Sequence, residues 1–239
     1  MARLLALRSH PATECLDNVA LGILRGGFEL LTRGLHVAIY AALPVVVSPL
    51  PGHAASTWLM ALLGYDFLFY WAHRVHHASG LLWATHAVHH QATKMNVTVG
   101  LRTALTNSAA HLPFFLPLAL LGVPVSVYAG VALIHLLAMT WLHLETRVSV
   151  GWLERVINTP ALHGLHHSAD PRHHDKNFGG LLIIYDRLFG TYAAPEPIAA
   201  YGVGDTRAPG PVEAHLRPYR RLAQRLRQTP GWLAKLRQL

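Results

Sequence analysis

Long stretches of this chain carry no charge at all. Residues 34–65 contain no Asp, Glu, Lys or Arg, and Pro44, Pro49, Pro51 and Gly52 interrupt the stretch near its middle. A helix that crosses a bilayer needs about 20 apolar residues. The pattern therefore predicts one span over about 30–49 and a second over about 55–72. Residues 103–144 are again uncharged, a length of about two spans, and Gly122-Val123-Pro124 marks a tight turn near their centre. That predicts a helical hairpin, about 107–121 and 124–143. The expected fold is an all-α integral membrane protein with about four transmembrane helices in two hairpins.

Composition supports this reading. Hydrophobic residues make up 52% of the 239 positions and charged residues only 13%, about half the charged fraction of an ordinary soluble domain. Neither a linker nor an internal repeat divides the sequence, so a single membrane domain over 1–239 is expected, with a basic tail over about 205–239. The short apolar run Leu4–Leu7 is not expected to act as a secretory signal. Of the 20 Lys and Arg, eight fall at or after Arg207. Positive charge marks cytoplasmic flanks, so both termini and the segments between the hairpins are placed on the cytoplasmic side. Between Val212 and Gln228 the arginines alternate with Leu216, Leu222 and Leu226, as suits a helix on anionic headgroups or a solvated surface helix. Nucleic acid is not an expected partner.

Cys15 is the one cysteine, which excludes an internal disulfide and a thiolate cluster, so any metal must be held by nitrogen or oxygen. Nitrogen is abundant. Six of the 18 histidines fall between 73 and 90, and five more between 163 and 174. His73 and His77 are four apart and share a helical face. His86, His89 and His90 form an HxxHH pattern that recurs at His163, His166 and His167. Neutral imidazole is the commonest metal ligand, and eight imidazoles exceed what one ion holds, so two metals are implied. His143, at the end of the fourth span, is a candidate ninth ligand. His76 is a less regular candidate. His36, His53, His111 and His135 are expected to be structural or to line a substrate path, and His10, His173, His174 and His215 to lie in loops or at the surface.

These segments resemble the fatty acid hydroxylase/sterol desaturase superfamily of membrane histidine-box di-iron oxygenases. The likeness covers about 66–192. It is carried by Asp66-Phe-Leu-Phe-Tyr-Trp-Ala-His73-Arg-Val-His-His77, by Leu82-Trp-Ala-Thr-His86-Ala-Val-His89-His90 with Asn96 and Arg102 after it, and by Asn158-Thr-Pro-Ala-Leu-His163-Gly-Leu-His166-His167. Asp175-Lys-Asn177-Phe-Gly-Gly180 and Tyr185-Asp186-Arg-Leu-Phe-Gly-Thr191 resemble the closing signature. The resemblance implies a cytoplasmic helical cap in which His73, His77, His86, His89, His90, His163, His166 and His167 bind two metals, with His143 as a further ligand. Some members carry His or Gln where this chain has Met139, and Trp where it has Tyr185.

Oxidising an unactivated C–H bond needs dioxygen and a redox-active metal, which zinc is not. Two irons are therefore expected in the working enzyme, with zinc possible on purification. The expected reaction is hydroxylation or desaturation of a membrane lipid such as a sterol or fatty acyl chain, with electrons from a separate ferredoxin, cytochrome or reductase. Asp66, two helical turns before His73, is a candidate to orient a ligand from behind, as are Asn96, Asn158 and Asp186. Two other classes compete. A metal- or haem-binding electron carrier or transporter would face histidine pairs across mid-membrane. A zinc hydrolase would want a carboxylate inside a box, as in HExxH, and no box has one.

Overall fold

The computed structural model describes residues 12–146, 150–204, 208–231 and 234. Arg207, Lys235 and Arg237 of the basic tail, and the Leu4–Leu7 run, lie outside the described residues. The protein is all-helical: α1 (Ala12–Ala42), α2 (Ala55–Ala78), α3 (Gly80–His90), α4 (Asn107–Leu120), α5 (Val125–Leu142), α6 (Pro160–His166), α7 (Ile184–Leu188) and α8 (Pro211–Gln228). Among the described residues β-pairing is confined to two isolated bridges, Ile157 with Leu182 and Ser168 with Tyr201.

The four long apolar segments form the expected helices, with two boundary corrections. The first is not a helix over 30–49. It starts at Ala12 and stops at Ala42, because Pro44 cannot donate to a continuing helix. The Pro-rich link that follows is stitched to the α4–α5 turn by Val46 N to Leu120 O (2.9 Å) and Leu50 N to Gly122 O (3.0 Å). Gly122 sits at φ +80, with the Ser48 carbonyl where a side chain would go, so the turn needs glycine. The second correction is that α2 runs past residue 72 to Ala78, which places His73 and His77 on the same rigid helix as Tyr65 and Phe69.

One described helix, α5, is both long and apolar enough to cross a membrane on its own. α1 carries Arg25, Glu29 and Arg33 along its middle, and α4 has 14 residues with Pro113 and Pro117 inside it, about 21 Å of helix. α2 packs against both α4 and α5, and α1 joins the bundle through α4 and α5. Their common core is aromatic: Tyr65 stacks on Phe115 at 4.2 Å and Tyr40 on Tyr128 at 4.5 Å. Buried aromatic pairs add about 1 kcal/mol each beyond their area. The Tyr40 hydroxyl donates to the Val123 carbonyl at 3.1 Å.

The shorter helices sit at the other end of this bundle. α3 turns back from α2 at Ser79, whose hydroxyl accepts from Leu82 N, and α8 packs against α3 and α1. α8 has basic residues on one face and buries Ala214, Pro218 and Leu222 on the other.

Candidate metal centre

Three helices and one helix end deliver nine imidazoles to a single place. α2 contributes His73 and His77, α3 contributes His86, His89 and His90, the end of α5 contributes His143, and α6 with its C-cap contributes His163, His166 and His167. They fall into two groups. In the first, His73, His77, His86, His90 and His166 each place a ring nitrogen within 4.8 Å of the others; in the second, His89, His143, His163 and His167 do the same. These are the nine residues singled out from the sequence. α6 is set by Thr159, whose hydroxyl accepts from Leu162 N, and by Pro160 in its first turn.

The hydrogen bonds behind the rings fix which nitrogen faces inward. Nδ1 of His73, His89, His143 and His166 lies 2.8, 3.1, 2.6 and 2.7 Å from the carbonyls of Phe178, Arg102, Met139 and Lys176. A carbonyl has no proton to give, so each Nδ1 carries the hydrogen and donates it. Burial, above all, pushes the imidazoles of His86, His89, His90, His163, His166 and His167 well below the usual histidine range. A neutral ring has one N–H, so Nε2 is bare wherever Nδ1 holds it.

Bare nitrogens then point at one another. His89 and His143 bring their Nε2 atoms to 2.9 Å with both protons committed to carbonyls behind them. The same inward convergence links His143 to His163 at 3.1 Å, His73 to His86 at 2.9 Å and His166 to His90 at 3.2 Å. Facing lone pairs repel unless a cation lies between them. This donor set, neutral, buried and all nitrogen, fits divalent transition metals such as iron or zinc. Nδ1 of His163 and His167 is buried with no hydrogen-bond partner.

Of the four residues expected to orient ligands from behind, Asp186 and Asn158 act on the loop that carries the Phe178 carbonyl. Asp186 accepts from Phe178 N (2.8 Å), Gly179 N (2.7 Å) and Thr191 Oγ1 (2.7 Å), and so holds the carbonyl that grips His73. Asn158 donates to Gly179 O at 2.7 Å and accepts from Thr159 N at 2.9 Å, which couples the same loop to the start of α6. Asn96 caps the short helical turn Val97–Leu101 through Thr98 N. Asp66 meets none of the nine histidines. Its carboxylate accepts from Leu181 N (2.6 Å) and Leu182 N (3.0 Å) and pairs with His135 Nε2 (3.0 Å). Two turns of α2 put it on the right face, but at the depth of α5 and the closing loop.

His76 turns away from the centre and stacks on His111 at 4.1 Å. His173, expected in a surface loop, is buried between Ser168 Oγ and the Glu196 carboxylate.

Arg102 and Asn177, named above only as part of the family resemblance, also support the site. Arg102 is fully buried; its guanidinium donates to Val88 O, Asn18 Oδ1, Gln91 Oε1 and Pro209 O, while its own carbonyl holds His89. Asn177 adopts φ +55 and ties Leu162 O to both the N–H and carbonyl of Ala193; an Asn before Phe-Gly-Gly is a turn signal. Backbone carbonyls, which do much of the orienting, leave no trace in residue identity.

A cavity of about 550 Å³ opens onto the centre. His73, His86, His89, His143 and His163 form one end, and Tyr40, Tyr65, Phe115 and Tyr128 the other. His135 and His111 line it between, and Phe69 and Tyr65, four residues apart on α2, face it. Phe67, Tyr70 and Trp71 point the other way and pack on Tyr185 and Phe189.

A helical bundle that converges nine imidazoles on the end of a largely apolar cavity has the donor set of a metal centre. The fatty acid hydroxylase family model matches residues 58–191, and the chain belongs to that family, within the fatty acid hydroxylase/sterol desaturase superfamily. It is 42% identical over 154 residues to alkylglycerol monooxygenase of Danio rerio, covering 64% of this chain and 34% of that protein. With alkylglycerol monooxygenase of Homo sapiens it is 34% identical over 192 residues, 80% of this chain and 43% of the relative. Ornithine lipid hydroxylase OlsE of Rhizobium tropici is 25% identical over 204 residues, 81% and 62% respectively. The chain thus spans less than half the length of these monooxygenases. No solved structure matches.

Proposed function

We propose that this chain is an O2-dependent, membrane-bound di-iron oxidoreductase that hydroxylates a lipid. The observation that carries the reading is the pair of imidazole groups whose bare nitrogens face each other at the end of an apolar cavity. His73, His77, His86, His90 and His166 would hold one iron, and His89, His143, His163 and His167 the other. Bound there, two irons would supply the activation of dioxygen that an unreactive C–H bond requires; zinc on purification would fill the same nitrogen sites without that activity.

The residues of the chain supply placement. The carbonyls of Phe178, Lys176, Arg102 and Met139 hold protons on the outward nitrogens and keep the inward ones free. Tyr40, Tyr65, Phe115 and Tyr128 receive the lipid chain and exclude water from the far end of the cavity. The proposed topology has α1, α2, α4 and α5 in the bilayer as two hairpins, with the histidine cap and both termini on the cytoplasmic side. There a separate electron donor, a ferredoxin, cytochrome or reductase, would reach the cap. The named activities of the relatives favour hydroxylation over desaturation.

Iron reconstitution of the full chain tests this. The unaltered protein should take up two irons and add one oxygen to a lipid with a reductant present. His89→Ala and His166→Ala, one from each group, should each lose metal and turnover. Full metal content and O2-dependent turnover in both variants would overturn the assignment.

A further inference from the structure

One face of α1 carries Arg25, Glu29, Arg33 and His36 at a spacing of four, four and three, and all four side chains line the cavity. This is a polar strip on a helix whose other faces expose leucines such as Leu31 and Leu35. Arg25 and Glu29 satisfy each other, with Nη2 to Oε1 at 2.7 Å. Glu29 also accepts from Ser108 Oγ, and Arg25 Nη1 reaches Thr103 Oγ1 at 3.4 Å. Arg33 differs. Among the described residues it has no carboxylate within ion-pair distance, although it sits one turn from Glu29. Its side chain is exposed at the cavity rim, and its planar fork suits a two-oxygen anion.

The strip runs along the cavity from its reactive end at Arg25 toward its aromatic end, with His36 one helical turn before Tyr40. Thr103, which Arg25 touches, directly follows Arg102, whose carbonyl holds His89. Arg33 thus lies between that reactive end and the aromatic floor at Tyr40 and Tyr128.

We infer that Arg33, beside the Arg25–Glu29 pair and His36, is the subsite for an anionic headgroup, a phosphate or carboxylate at the head of a single lipid chain. The inference rests on the lipid-hydroxylase reading and names the substrate class for it: an anionic lipid whose chain lies on the aromatic floor. Arg33 is the residue that sets preference for the charged head.

Equilibrium binding to the full chain in neutral detergent tests this without turnover. The probes are hexadecyl phosphate and hexadecyl glycerol, alike in chain and different in head charge. The phosphate should bind about tenfold tighter, as one charge-assisted bidentate pair provides. Arg33→Gln should collapse that preference, and Arg33→Lys should keep part of it. Equal affinity for the two probes in the unaltered protein, or a preference that survives in Arg33→Gln, would overturn the inference. So would displacement of hexadecyl phosphate by an equal concentration of inorganic phosphate, which would mark a site for the free anion. Selective binding without oxidation of any lipid would leave the subsite standing and remove the hydroxylase reading instead.

Discussion

The two imidazole groups have similar donor chemistry but are held in place differently. In the five-histidine group, two rings are gripped by the loop before α7: His73 by Phe178 O and His166 by Lys176 O, with Asp175 3.5 Å from His77. In the four-histidine group, His89 leans on Arg102 O and His143 on a carbonyl of its own helix, while His163 and His167 have nothing behind Nδ1. Half of the second group is therefore oriented by packing on α6 and by whatever it coordinates. A ring gripped from behind keeps its aim in the absence of metal; a ring without that grip depends more on the metal. The first group takes its grip from the loop before α7, and the second from Arg102 and the end of α5.

The largest expected effect comes from breaking the loop that serves the first group. Asp186 is fully buried and takes two backbone N–H groups and a hydroxyl. Asp186→Ala leaves those donors unpaired, at about 1–3 kcal/mol each. Thermal unfolding should show a loss on the order of 3 kcal/mol or more. Metal should be lost from the five-histidine group first, so iron content should fall towards one per chain. Loss of both irons together would show that the two groups are not independently supported.

Arg102→Met is the matching test of the second group. It removes the donors to Val88 O, Asn18, Gln91 and Pro209 O while preserving most of the volume. Every group left behind is an acceptor or an amide able to re-pair, so the expected cost is about 2 kcal/mol, below that of Asp186→Ala. The backbone at residue 102 should shift away from His89 Nδ1. Iron should then be lost from the four-histidine group, leaving His73, His77, His86, His90 and His166 loaded. Metal titration followed by unfolding separates the two variants, and identical loss profiles would break the comparison.

Much of this was legible because histidine spacing on helices maps directly to shared faces. His73 and His77, and the two HxxHH runs, needed no tertiary information to be grouped. How the nine rings divide was not legible, since His166 joins the first group and its neighbours His163 and His167 the second. Helical rotation turns adjacent rings about 100° apart, and only the packing of α6 against α3 and α5 decides where each points. Asp66 shows the opposite failure. Its face was inferred correctly from two helical turns, but its depth beside His135 and the amides of Leu181 and Leu182 depends on a loop 115 residues away. The four apolar segments were plain, whereas the start of α1 was hidden because Arg25, Glu29 and Arg33 interrupt its hydropathy while facing a cavity.

The smallest expected effect isolates α6 itself. Thr159 caps the helix that carries His163, His166 and His167, one imidazole of the first group and two of the second. Thr159→Ala removes the bond from Leu162 N and should cost about 1 kcal/mol. If the rings of the second group rely on α6 for their aim, iron affinity should fall more there than in the first group, where His166 is still held by Lys176 O. Stepwise chelation reads the two affinities separately. Equal weakening of both would mean that α6 moves as a body and that the grip of Lys176 on His166 adds nothing.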